Sequence, residues 1–108
     1  MNKYHAHKTE VDGFIFDSQA EARRYSELKL LETMREIGDL QLQVKYNLDV
    51  NGTNCGAYYA DFEYFDSRTG KCVTEDVKSE GTRALPVYRL KKKLVKAIYG
   101  VDIVEVKA

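Results

Sequence analysis

A chain of 108 residues with 44% hydrophobic and 31% charged side chains is sized for one modest core and composed like an ordinary globular domain, read here as a single domain over 1–108. Its 17 basic and 17 acidic residues cancel, so bulk charge points to no polyanionic partner. No apolar run approaches the roughly 18 residues of a membrane span, and MNKYHAHKTEVDG lacks the apolar stretch of a signal peptide, so a cytoplasmic chain is expected. Cys55 and Cys72 have neither C-x-x-C nor zinc spacing. They are expected as buried free thiols rather than a disulfide.

His5 and His7 fall in a polar arm, residues 1–8, expected to be flexible, where a lone His-x-His pair carries little metal signal. In TEVDGFIF, Asp12-Gly13 between two short apolar runs predicts a β-hairpin over residues 9–16. Ser18 then has the character of an N-cap, with Glu21 three positions on, and predicts a helix from about Gln19 to Ile37 ended near Gly38. Its apolar stripe is Tyr25, Leu28, Leu31 and Met34.

From Leu40 to Val50 apolar and polar residues alternate with the period of a strand. Asn51-Gly52 and the polar residues after it predict a turn, Ala57 to Phe65 a second strand, DSRTG another turn, and Lys71 to Lys78 a third strand. Residues 79–83 read as loop. Pro86 suits the first turn of a helix running to about Tyr99, with Val87, Leu90, Leu94 and Ile98 on one face and Gly100 as its stop. Val101 to Val106 predicts a last strand. The order of hairpin, helix, three-strand antiparallel meander, helix and strand is an α/β arrangement, a mixed sheet flanked by helices. Between Lys78 and Lys96 the charges are Lys78, Arg83, Arg89, Lys91, Lys92, Lys93 and Lys96 against Glu80 alone, a local basic face that suits a phosphate backbone or a solvated helix surface.

Three residues stand out for chemistry. Asp61 sits mid-strand among aromatics, where an acid is expensive to bury without a partner. Fifteen residues on, Asp76 and Lys78 are two apart in a strand and share a face. The meander lays these strands side by side, so Asp61, Asp76 and Lys78 converge. Carboxylates on neighbouring strands can hold a hard divalent cation, and a lysine beside them can meet developing negative charge. Acid-x-lysine alone is common, and Glu105-Val106-Lys107 is a second instance. It lacks a partner acid on a preceding hairpin-linked strand and is set aside. Glu75 alternates to the face opposite Asp76.

This constellation resembles the PD-(D/E)XK nuclease superfamily, whose motif places an acid on the second meander strand and (D/E)-x-K on the third. Asp61, Asp76 and Lys78 match it, although Ala60 stands where the name-giving proline would be. The segments TEVDGFIFDSQAEARRYSELKLLE, LQLQVKYNL, YYADFEYFD, VTEDVK and VYRLKKKLVKAIYGVDIVEV are similar to small phage-encoded, Holliday-junction-resolvase-like nucleases over about Lys8 to Val106.

The resemblance implies a restriction-endonuclease-like core and a metal-dependent DNA endonuclease, structure-selective or nicking, working as a homodimer in phage DNA metabolism. It implies Mg²⁺ or Mn²⁺ held by Asp61, Asp76 and the backbone carbonyl of Val77. Lys78 would orient the attacking water or stabilise the transition state. Glu21 matches an acid that such nucleases often supply from the first helix to complete the metal site, directly or through water, and its other reading is the capping box. Gln43 matches a glutamine beside the site, or is one polar position of an alternating strand. Arg89, Lys92 and Tyr88 are candidates for phosphate contact. The rival readings are a non-catalytic nucleic-acid-binding module of the same fold and a protein-interaction domain.

Overall fold

A computed structural model describes residues 8–108; His5, His7 and most of the expected arm lie outside the described residues. The hairpin forms from β1 (Thr9–Val11) and β2 (Phe14–Phe16). Asp12 and Gly13 both take positive φ, 53° and 81°, the two-residue turn whose twist matches the strands it joins. Ser18 caps α1 (Gln19–Thr33), its hydroxyl accepting the Glu21 N–H at 3.1 Å.

Helix α1 stops earlier than the sequence suggested. Arg35 takes φ 63°, its N–H donates to the Glu32 carbonyl, and the Glu36 N–H donates to the Leu31 carbonyl. This is the paired-bond C-terminal motif usually built on glycine. Ile37 and Gly38 therefore belong to the following strand, and Met34 is an exposed helix-end residue rather than part of the buried stripe.

The main sheet has the order β3 (Ile37–Val50), β4 (Thr53–Asp66), β5 (Lys71–Lys78), β6 (Ile103–Lys107). Its first three strands form the antiparallel meander, and β6 joins β5 in parallel. Strands β3 and β4 are longer than expected, and β6 starts two residues late. The crossover holds a short helix α2 (Glu80–Arg83), capped by Ser79, where a loop was expected, and α3 (Pro86–Tyr99), which ends on Gly100 at φ 71°. The chain is thus an α+β fold of a mixed four-strand sheet, a two-strand antiparallel sheet and helices. No helix among the described residues is long and apolar enough to cross a membrane.

Two apolar clusters sandwich the sheet. Tyr25 and Leu28 of α1 pack with Phe16, Phe62 and Tyr64; Tyr88 and Val95 of α3 pack with Leu48, Tyr58, Ala60 and Ile103. Of the apolar face expected for α3 only Leu94 packs against the core; Val87 is 65% and Leu90 58% exposed, Ile98 is also exposed, and the helix docks mainly through Tyr88 and Val95. Cys55 and Cys72 are free but exposed, not buried.

A carboxylate cluster where two strands part

The backbone ladder between β4 and β5 runs from Asp66↔Lys71 to Phe62↔Glu75 and stops there, while β5 and β6 stay paired as far as Lys78↔Lys107. In the gap between β4 and β5, carboxylates replace the missing ladder bonds. Asp61 N–H donates to Asp76 Oδ1 at 3.0 Å, and Val77 N–H donates to Asp61 Oδ2 at 2.8 Å. In extended backbone a residue's N–H and C=O leave the same edge of the strand, so the Val77 carbonyl also faces the gap. The Gln43 amide reaches across from β3 to Asp61 Oδ1 at 3.3 Å.

Asp76 is fully buried. Its Oδ2 accepts no hydrogen bond; the Lys78 ammonium lies 3.8 Å from it, an ion pair too long to be a hydrogen bond. Burial pushes the Asp76 carboxyl up to about 6, with nearby Glu105 adding to the rise, against the opposing effects of Lys78 and the Asp61 N–H. Lys78 also lies over the ring of Tyr88, 5.2 Å from its centroid.

Glu21 combines both roles weighed for it. One carboxyl oxygen accepts the Asp17 N–H at 3.1 Å, one residue before the cap position. The same buried group meets Asp61. Burial first, and that neighbouring carboxylate second, push Glu21 up to about 8, the Asp17 N–H opposing. The helix cap and the cluster are therefore served by one side chain.

Asp61, Asp76, Lys78, Glu21, Gln43 and the Val77 backbone thus come together at one place. Glu75 does not: on the opposite face its carboxylate takes both Nε and Nη2 of Arg24, at 2.9 and 2.7 Å, and the Tyr64 hydroxyl. It ties α1 to the sheet.

Glu105, set aside from the sequence, lies beside the cluster. The parallel register puts it opposite Asp76. Its carboxylate accepts the Tyr88 hydroxyl at 2.7 Å and pairs with Lys92 at 3.4 Å. Despite some burial its pKa is lowered, by Tyr88, Lys92 and Arg83 together. No local sequence signal marked it: the β5–β6 parallel pairing brings one acid-x-lysine run alongside the other. Beyond Glu105 opens a cleft of about 430 Å³ lined by Arg83, Arg89, Lys92, Lys93 and Lys96, with Asp102 on the same wall paired to Lys96 at 2.8 Å. Arg89 and Lys92 lie there as candidates for phosphate contact, whereas Tyr88 is buried with its hydroxyl committed to Glu105.

Residues 1–106 match the family described as Protein of unknown function (DUF1064). The chain belongs to this family. No curated protein and no solved structure matches it. In this DUF1064 chain the unpartnered Asp76 oxygen is an acceptor that a cation would satisfy. Among the described residues no group of three or more His, Cys, Asp or Glu is arranged to hold a metal ion. Mg²⁺ is commonly held by only one or two carboxylates and keeps several waters. Asp61 and Asp76 fit that demand, with the Val77 carbonyl on the same edge; a closed cage of protein ligands they do not fit.

Proposed function

We propose that this protein is a metal-dependent DNA endonuclease with a restriction-endonuclease-like core, whose site is Asp61, Asp76 and Lys78 with Glu21 in support. The observation that carries the reading is the parting of β4 and β5 at Asp61 and Asp76. A carboxylate as deeply buried as Asp76, with one oxygen left bare and a lysine 3.8 Å away, is costly to maintain and is the kind of perturbed group found where chemistry is done.

Asp61, Asp76 and the Val77 carbonyl would hold Mg²⁺ or Mn²⁺. When bound, such an ion neutralises phosphate charge and makes a coordinated water more acidic. The chain's own groups do the rest. Lys78 offers a positive charge to the phosphate oxygens as negative charge develops. Gln43 and the Val77 N–H fix the Asp61 carboxylate in one orientation. The basic cleft of Arg83, Arg89, Lys92, Lys93 and Lys96 takes the flanking phosphate backbone. A homodimer, needed for a two-fold symmetric junction, belongs to the same reading; Phe14 and Ile15 on the hairpin and Tyr59 on β4 are exposed and available to such an interface.

One observation favours the non-catalytic alternative. Both Asp61 oxygens already accept hydrogen bonds, so the cluster is partly self-satisfied. The deciding test is incubation of labelled linear, nicked, flapped and four-way-junction DNA with Mg²⁺ or Mn²⁺, comparing wild type with Asp76→Asn and Lys78→Ala. Metal-dependent cutting that both substitutions abolish is expected, with the preferred substrate naming the task. No cutting of any substrate, with Asp76→Asn binding DNA like wild type, would leave a binding module.

A further inference from the structure

The nuclease reading uses Lys78 and Lys92 but leaves unused the pair that links them, buried Tyr88 and half-buried Glu105. Tyr88 sits near the start of α3, packed against Tyr58 with ring centroids 6.3 Å apart. Its ring face lies under the Lys78 ammonium at 5.2 Å. Its hydroxyl is anchored on Glu105 at 2.7 Å. Glu105 in turn is held by Lys92 at 3.4 Å and stands opposite Asp76 in the β5–β6 register.

Lys78 ends its strand, and its long side chain is mostly covered, 22% exposed. A lysine in that position has several rotamers leading to solvent, and its ion pair with Asp76 is too long to select one. The negative face of an aromatic ring is a directional partner for an ammonium, and the Tyr88 ring is fixed from behind by Tyr58 and at its tip by Glu105.

We infer that Tyr88 is a positioning residue for Lys78: its ring, anchored through its hydroxyl to Glu105, seats the ammonium over the bare oxygen of Asp76. The inference rests on the nuclease reading for its consequence in catalysis, but the seat itself is a property of the folded chain.

The test uses the full-length protein with phenylalanine and its mono-, di- and trifluorinated analogues at position 88. These keep the ring's shape while progressively weakening its negative face. The first readout is the rate of reductive methylation of Lys78, followed by mass spectrometry relative to exposed Lys107, its neighbour in register on β6. Tyr88→Phe, which keeps the ring but loses its Glu105 anchor, is expected to raise Lys78 labelling about twofold to threefold, and full fluorination to raise it about fivefold to tenfold, in steps. A rate independent of fluorination in a variant with unchanged melting temperature would overturn the seat.

The second readout is kcat and KM on the preferred DNA. A stepwise fall in kcat at constant KM supports positioning; labelling that rises with kcat unchanged overturns it. Absence of cleavage by wild type would sink the nuclease reading alone, since the labelling series decides the seat without it. Tyr88→Met, a ring-free variant, serves as an independent check and should label Lys78 at least as fast as the fully fluorinated form.

Discussion

Gln43 and Asp61 face one another across β3 and β4 at the step where both strands exchange their buried faces. Leu42 and Phe62, paired in register, pack toward α1; Val44 pairs Ala60 and Tyr46 pairs Tyr58, and of these Tyr46, Tyr58 and Ala60 pack toward α3. Residues of the same parity thus lie on opposite sides of the sheet. Gln43 makes the exchange possible with φ 51°, a left-handed conformation that inverts the pleat and costs a side-chain-bearing residue on the order of 1–2 kcal/mol. The glutamine amide then reaches the Asp61 carboxylate. The strain and the site coincide in one residue.

A direct consequence is an inverted substitution pattern at position 43. In an ordinary strand glycine is less stable than alanine by roughly 0.5–1 kcal/mol. Both Gln43→Gly and Gln43→Ala lose the amide, but only glycine relieves the positive φ, so Gln43→Gly should exceed Gln43→Ala by about 1 kcal/mol in urea unfolding. Alanine equal to or better than glycine would mean that position 43 is not left-handed in solution.

The acid cluster makes stability depend on pH in a defined direction. Glu21 is raised to about 8 and Asp76 to about 6, whereas the unfolded chain releases both protons near their ordinary values of 4.5 and 3.8. Between those limits the native state binds more protons than the unfolded one, so stability falls as pH rises. The contribution of these groups is fully present below about 4 and is lost progressively through about 6 and then about 8. Melting curves of metal-free protein across this range should decline. Glu21→Gln, which keeps an acceptor for the Asp17 N–H, should flatten the upper part, and Asp76→Asn the lower. A profile that rises with pH over the same interval contradicts the clustering.

Glu75 should behave unlike its neighbour Asp76. It is almost fully buried and paired with Arg24 and Tyr64, so Arg24→Ala strands a carboxylate in the core, with an expected loss of about 3 kcal/mol. Arg24→Leu, Tyr64→Phe and Glu75→Leu together remove the charge and both its donors, and should recover most of that loss. The triple variant should retain whatever activity the wild type has. If the single and triple variants are equally destabilised, the network holds the fold by shape and not by pairing.

The sequence carried the element order, the limits of α3 and β5 and the meeting of Asp61, Asp76 and Lys78 because period-two alternation, Pro86 and Gly100 act locally. It hid what depended on a left-handed residue with no turn signature beside it, Arg35 and Gln43, unlike Asp12 before Gly13. Arg35 closes α1 in a position where glycine is the usual signal, so the helix was drawn four residues too long, on to Ile37. Gln43 reverses the pleat inside a strand whose alternation reads as unbroken. The docking face of α3 was mistaken for a different reason. Val87, Leu90 and Ile98 satisfy helical periodicity, yet the sheet meets the helix through Tyr88 and Val95, and only the parallel placement of β6 shows that Tyr88 has Glu105 to bond. Long-range pairing of this kind has no local signature.

The basic cleft yields a prediction that separates two of its own cations. Lys92 already pairs with Glu105 at 3.4 Å, whereas Arg89 makes no ion pair among the described residues. A cation that contacts DNA phosphate displaces counterions, and each such contact steepens the dependence of log affinity on log salt by about 0.9. Arg89→Ala should therefore reduce that slope by nearly one contact. Lys92→Ala should reduce it by less, because part of its charge is spent on Glu105. Glu105→Gln should increase affinity by freeing Lys92 and Arg83 for phosphate. Fluorescence anisotropy of labelled duplex DNA over a series of salt concentrations measures all three. Slopes that none of the substitutions changes would remove this face from the DNA interface and leave its lysines as a solvated helix surface.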